Sequence, residues 1–205
     1  MRHGHTDGSF SVAKRLEAGA SLSGKERNHL FLNQNGRHFI DFSGISGADS
    51  PADGRSFALL DFDRDGWQDL AVVNANAPLF ELFRNQMGDG GSSAAILGLR
   101  LVGGNHADQP SRIWSARDGY GAAVTVDLAP GKIVRQHHAG QGFSAQNSPI
   151  MRIGIGERSK AASVEVHWPS GKVQHTSNIA AGTMLTVYEN EDHSPTGEAF
   201  VVRPY

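Results

Sequence analysis

The stretch Ser56-Phe57-Ala58-Leu59-Leu60-Asp61-Phe62-Asp63-Arg64-Asp65-Gly66-Trp67-Gln68-Asp69-Leu70-Ala71-Val72-Val73 sets an acidic loop between two short apolar runs. Asp61, Asp63, Asp65 and Asp69 fall at loop positions 1, 3, 5 and 9, with Gly66 at position 6. A hard cation such as Ca²⁺ takes six to eight oxygen ligands at about 2.3–2.6 Å, so alternate aspartates converge only if the backbone curls around the ion. Gly66 allows that curl, because glycine enters left-handed dihedrals without a Cβ penalty. The Trp67 carbonyl is the expected position-7 oxygen. An ordinary Asp/Gly turn needs far fewer carboxylates than this. An EF-hand would add flanking helices and a bidentate Glu at position 12, where this chain has Val72. Both flanks are short, apolar and bounded by turn residues, which favours strands over helices. The expected unit is a strand–calcium–strand hairpin.

Outside this loop the composition excludes more than it assigns. The 205 residues allow one large domain or two small ones, and 39% hydrophobic with 20% charged residues describes a globular chain. A formal net charge of −2 gives no electrostatic reason to expect nucleic acid or an anionic membrane surface as partner. With no cysteine, disulfides, zinc–thiolate sites and thiol catalysis are excluded. That fits a reducing compartment or an exported protein stabilised by calcium. No apolar run reaches the roughly 18 residues of a spanning helix, so no membrane insertion is expected. Residues 1–24 read as a polar, flexible amino terminus without the apolar centre of a signal peptide.

Downstream, several segments alternate with a period of two: Ala123–Leu128, Met151–Ile155, Ser163–Trp168 and Met184–Tyr188. Such segments are half-buried strands with one core face and one wet face. Ala129-Pro130-Gly131-Lys132 and Pro169-Ser170-Gly171-Lys172 are turns, the second joining Val164–Trp168 to Val173–Thr176 as an antiparallel hairpin. The fold class expected is all-β. Phe31-Leu32-Asn33-Gln34-Asn35-Gly36 and Phe83-Arg84-Asn85-Gln86-Met87-Gly88 share an F-x-N-Q-x-G pattern at a spacing of 52 residues, as propeller-type blades do. About one and a half repeats cannot close a propeller, which needs about four blades. Gly88-Asp89-Gly90-Gly91-Ser92-Ser93 ends the repeat region, and a seam is expected between Gly103 and Asp118. The resulting division is a calcium-binding β region over 25–104, a small antiparallel sandwich or barrel over 117–190, and a tail over 191–205.

These residues resemble known families. Arg27-Asn28-His29-Leu30-Phe31-Leu32-Asn33, Asp53-Gly54-Arg55-Ser56 and the Asp61–Leu70 loop are similar to FG-GAP/VCBS repeats. Asp118–Val126, Ala139–Asn147, Arg152–Gly156 and Val164–Gly171 are similar to the ASPIC/UnbV domain, which follows such repeats in the cartilage acidic protein family. The resemblance covers about residues 25–190. It implies a partial propeller-type region followed by a β domain, in a calcium-binding, non-catalytic, extracellular or periplasmic module. Further repeats usually precede these elements in the family. The chain therefore looks like the carboxy-terminal part of a larger relative or a reduced version of one, without a full propeller face.

Catalytic readings fare poorly. Ser144 in Gly142-Phe143-Ser144-Ala145-Gln146 fails the G-x-S-x-G elbow at its last position. His137 and His138 are adjacent, so on a strand they face opposite sides. His167 reads as a strand-face histidine and Trp168 as core or hairpin packing. No Walker loop, dinucleotide fingerprint or H-E-x-x-H is present. The segment Gly140–Pro149 reads as a long shaped loop, and its Gln141, Phe143, Gln146 and Asn147 are the candidate contact surface, an aromatic anchor among hydrogen-bonding groups. Two function classes stand: a calcium-binding adhesion or protein-interaction module, or a carbohydrate-binding module with Trp114, Tyr120 or Phe143 stacking on sugars. Either implies a protein or glycan partner on a cell surface or in a matrix.

Overall fold

The computed structural model describes residues 7–91 and 95–205, and of residues 7–10 the backbone alone. Expectations for residues 1–6, and for Ser92 and Ser93 in the glycine- and serine-bearing stretch, lie outside the described residues. The chain divides into two compact units. The first comprises residues 1–60, 69–84 and 142–145, the second 61–68, 85–141 and 146–205. Strands dominate both, so the all-β expectation holds.

The first unit starts with a helix, α1 (Asp7–Glu17), followed by the ribbon β1 (Phe31–Gln34) and β2 (His38–Asp41) and a single turn, α2 (Ser43–Ser46). A three-stranded antiparallel sheet follows, in the order β3 (Gly54–Leu60), β4 (Asp69–Asn74) and β5 (Phe80–Phe83). The flexible terminus expected over 1–24 is corrected on two counts within residues 7–24, its described part. Ala13-Lys14-Arg15-Leu16-Glu17 are all strong helix formers and end α1. Beyond it, Ser21 Oγ and the Leu22 N–H each donate to Asp53 at 2.5 Å, tying the segment to a carboxylate that is 1% exposed. Those bonds, with Ser21 the largest contributor, hold the Asp53 carboxyl below the usual carboxylate range.

The second unit is a sandwich. One sheet runs in the order β11 (Val173–Ala180), β10 (Lys160–His167), β7 (Ala123–Asp127), β8 (Lys132–Gln136). The other runs β13 (Phe200–Pro204), β12 (Thr183–Tyr188), β6 (Ile96–Val102), β9 (Ile150–Gly154). Leu97, Leu99 and Leu101 of β6, Val124 and Val126 of β7, Val164 and Val166 of β10, and Leu185 and Val187 of β12 meet in one core. In β7 and β12 the buried residues alternate with half-buried ones, as the period of two predicts, whereas β6 is buried at four consecutive residues, 96–99. The hairpin of β10 and β11 pairs antiparallel around the Pro169–Lys172 turn. Trp168 is core, 3% exposed, with its Nε1 donating to Gln174 Oε1 at 2.7 Å.

The domain limits expected for the second half, 117 and 190, both move. β6 lies before the expected seam yet pairs with β12 in parallel and with β9 antiparallel. β13 lies in the expected tail and pairs with β12. A segment cut at 117 and 190 would strip β12 of both its neighbours and β9 of its one. The irregular stretch 103–118 is also no linker, because it closes over Glu189. That carboxylate, 0% exposed, accepts from the Gly104 N–H at 2.7 Å, the Ser115 N–H and Ser115 Oγ at 2.8 Å, and Ser170 Oγ at 2.5 Å.

Candidate metal centre

β3 and β4 pair antiparallel up to Leu60 opposite Asp69, so residues 61–68 form the loop between them. Gly66 has φ of 89°, the left-handed turn its position requires. Within the loop the aspartates cap backbone donors: the Gly66 N–H donates to Asp61 Oδ2 at 3.1 Å and the Trp67 N–H to Asp65 Oδ1 at 2.8 Å. These bonds fold the loop inward. Carboxylate oxygens of Asp61, Asp63 and Asp65 come within 4.8 Å of one another. Asp69 opens β4, is 1% exposed, and stands outside that converged group. Its backbone pairs opposite Leu60, at the first ladder position after the loop. Trp67 contributes no bond through its indole Nε1, which is buried without a partner, while Gly88 packs against the ring so closely that a Cβ would lie 3.0 Å away. Asn85 Nδ2 donates to the Gln68 carbonyl at 3.2 Å. The second F-x-N-Q-x-G turn therefore braces the loop.

Asp61 is where the centre departs from a hydrated turn. Its residue exposure is 7%, its Oδ2 has partners, and its Oδ1 is buried with none. A buried unsatisfied acceptor costs about 1–3 kcal/mol, and a cation held with Asp63 and Asp65 would satisfy it. The donor set is all oxygen, which suits a hard divalent cation and not a soft one. The residues fit a hard divalent cation.

Two residues at this centre escaped the reading of the sequence. Arg152 and Tyr205 both reach Asp61 Oδ2, Tyr205 Oη donating at 2.8 Å and Arg152 Nε lying 3.4 Å away. Arg152 sits on the face of β9 that alternation marks as wet, and Tyr205 in what reads as a tail. Tyr205 lies over β6 at Gly98, where a Cβ would come within 2.7 Å of the ring. The Gly in that strand pattern was the available signal, since strand glycine marks a close approach.

The second candidate surface is less open than its sequence suggests. The Gly140 N–H donates to Gln146 Oε1 at 2.7 Å, and Asn147 Nδ2 donates to Gln141 Oε1. Gln141, Gln146 and Asn147 thus fold the loop on itself. Phe143 is 78% exposed. Of the other aromatic candidates, Trp114 is partly buried beneath Lys172 Nζ, 5.7 Å from its ring, and Tyr120 stacks on His137 at 4.8 Å. His137 itself is 4% exposed, and burial lowers its pKa.

Residues 114–194 match the family model described as ASPIC and UnbV. This stretch holds β7 to β12 together with Arg152 and Glu189; the aspartate loop lies outside it. The chain is also similar to human (Homo sapiens) cartilage acidic protein 1, 29% identical over 138 residues that cover 66% of this chain and 19% of that protein. To the mouse (Mus musculus) cartilage acidic protein 1 it is 23% identical over 265 residues, with 79% of this chain and 41% of that protein covered. The chain spans less than half the length of either relative.

Proposed function

We propose that this chain is a calcium-binding, non-catalytic module that works by contact with a protein or glycan partner outside the cell. The observation that carries the calcium part is the orphaned Oδ1 of Asp61 among three converging carboxylates. The resemblance of Arg27–Asn33, Asp53–Ser56 and Asp61–Leu70 to FG-GAP/VCBS repeats supports the same reading, since such a resemblance implies calcium binding at the Asp61–Leu70 loop. The likeness to cartilage acidic protein 1, named for an extracellular tissue, supports the location and an adhesive or interaction role over turnover. A carbohydrate-binding role is the weaker reading, because two of its three aromatic candidates are already covered or stacked. Among the described residues no helix is long and apolar enough to cross a membrane.

Melting in EDTA and in millimolar calcium, for the wild type and Asp63→Ala, tests the calcium part. At a calcium concentration of about 100 times Kd the wild type should gain about 2.7 kcal/mol, and Asp63→Ala most of that less. Equal shifts in the two proteins would remove the assignment.

A further inference from the structure

Behind the loop aspartates stands a buried cation. The Arg152 side chain is 8% exposed, and the Asp61 side chain facing it is 0% exposed. A fixed positive charge beside a cation site opposes binding by Coulomb repulsion, so its burial there needs a reason. The hydrogen bonds supply one. Arg152 Nε donates to Tyr205 Oη at 2.5 Å, and Tyr205 Oη donates in turn to Asp61 Oδ2 at 2.8 Å. With the Gly66 N–H, three groups gather on Oδ2 and none on Oδ1.

We propose that Tyr205 and Arg152 are positioning and selectivity residues of the metal centre. Tyr205 turns Asp61 so that Oδ1 alone faces the cation, and Arg152 cancels one carboxylate charge, biasing the centre towards divalent over trivalent ions. The inference rests on the calcium reading of the loop. Asp61, Asp63 and Asp65 bring three negative charges, and the guanidinium beside Asp61 lowers the negative charge that meets a cation by one. Oxygen-ligand sites are tuned by this charge count and by rigidity. Partners one step behind a metal ligand orient it, and their loss weakens metal binding.

The test titrates the full chain with Ca²⁺ and separately with Tb³⁺, following heat and Trp67-sensitised terbium emission. Arg152→Met should raise the ratio of Tb³⁺ to Ca²⁺ affinity by at least about threefold, the effect of one unit charge a few ångströms away at the dielectric of bulk water, which burial enlarges. Arg152→Lys keeps the charge and should keep the wild-type ratio. Tyr205→Phe removes a hydroxyl and no charge, so it should weaken both ions by about tenfold and leave the ratio unchanged. An unaltered ratio in Arg152→Met, or wild-type affinity in Tyr205→Phe, overturns the proposal. If Arg152→Met does not fold, Tyr205→Phe and Arg152→Lys decide it between them. A wild type that binds neither ion overturns the calcium reading itself, a different result from binding with an unshifted ratio.

Discussion

Asp61 and Glu189 are two carboxylates sealed inside the same unit, and their oxygens are treated in opposite ways. Glu189 has two donors on each oxygen, two of them backbone N–H groups and two serine hydroxyls. Asp61 has its donors crowded onto Oδ2 and nothing on Oδ1. A buried acid with every acceptor filled is a fastener, because its hydrogen bonds replace the water it lost. A buried acid with one oxygen left over holds unspent bonding capacity, and beside Asp63 and Asp65 that capacity points to a cation. Burial is common to both; saturation separates them.

The largest expected effect falls on the fastener. Glu189→Ala leaves the N–H groups of Gly104 and Ser115 without an acceptor and should cost about 4 kcal/mol, read by denaturant unfolding, with no change in calcium affinity beyond that loss of fold. A change near zero would mean that water replaces the carboxylate and the contrast with Asp61 is false. Asp61→Asn should cost about 2 kcal/mol in EDTA, since Arg152 loses its counter-charge, and should also abolish the calcium-dependent rise in melting temperature. Retention of that rise would place the ion elsewhere.

A third buried ionisable group sharpens the comparison through pH. Burial lowers the His137 pKa, so between the folded value and the ordinary value near 6.5 the unfolded chain binds more protons than the folded one. Its stabilising contribution is complete above about pH 6.5 and is lost as pH falls below that. His137→Gln should therefore show a flatter stability profile between about pH 7.5 and 5 than the wild type. Identical slopes would assign the acid sensitivity to other groups. The smallest effect belongs to Phe143→Ala, at 78% exposure, which should shift stability by no more than about 0.5 kcal/mol while weakening partner capture. If it unfolds the protein, the exposed loop is not a contact surface.

What the sequence made legible was local. Period-two alternation placed β7, β9, β10 and β12 and showed which face of each is core, because side-chain direction is a property of the strand itself. It could not name partners, so β6 and β13 were left outside a unit they complete. The aspartate spacing located the loop and three converging ligands. Asp69, at the ninth position, opens β4 opposite Leu60, a pairing that the spacing alone does not reveal. Arg152, Tyr205 and Glu189 carry no spacing pattern at all: each has at least one partner more than fifty positions away in the chain.

The parallel pairing of β6 with β12 has a consequence during synthesis. Leu97 lies beside Thr183, 86 residues later, so one edge of β6 waits for nearly all of the second unit to be made. Closing a loop of that length costs entropy before any contact repays it, which makes such pairings slow to nucleate. Through that interval Ile96-Leu97-Gly98-Leu99-Arg100-Leu101-Val102 is an apolar strand with an open edge, the kind of segment that recruits other chains. Arg100 is its one charge, and a charge within an apolar strand is the kind of residue that disfavours such recruitment.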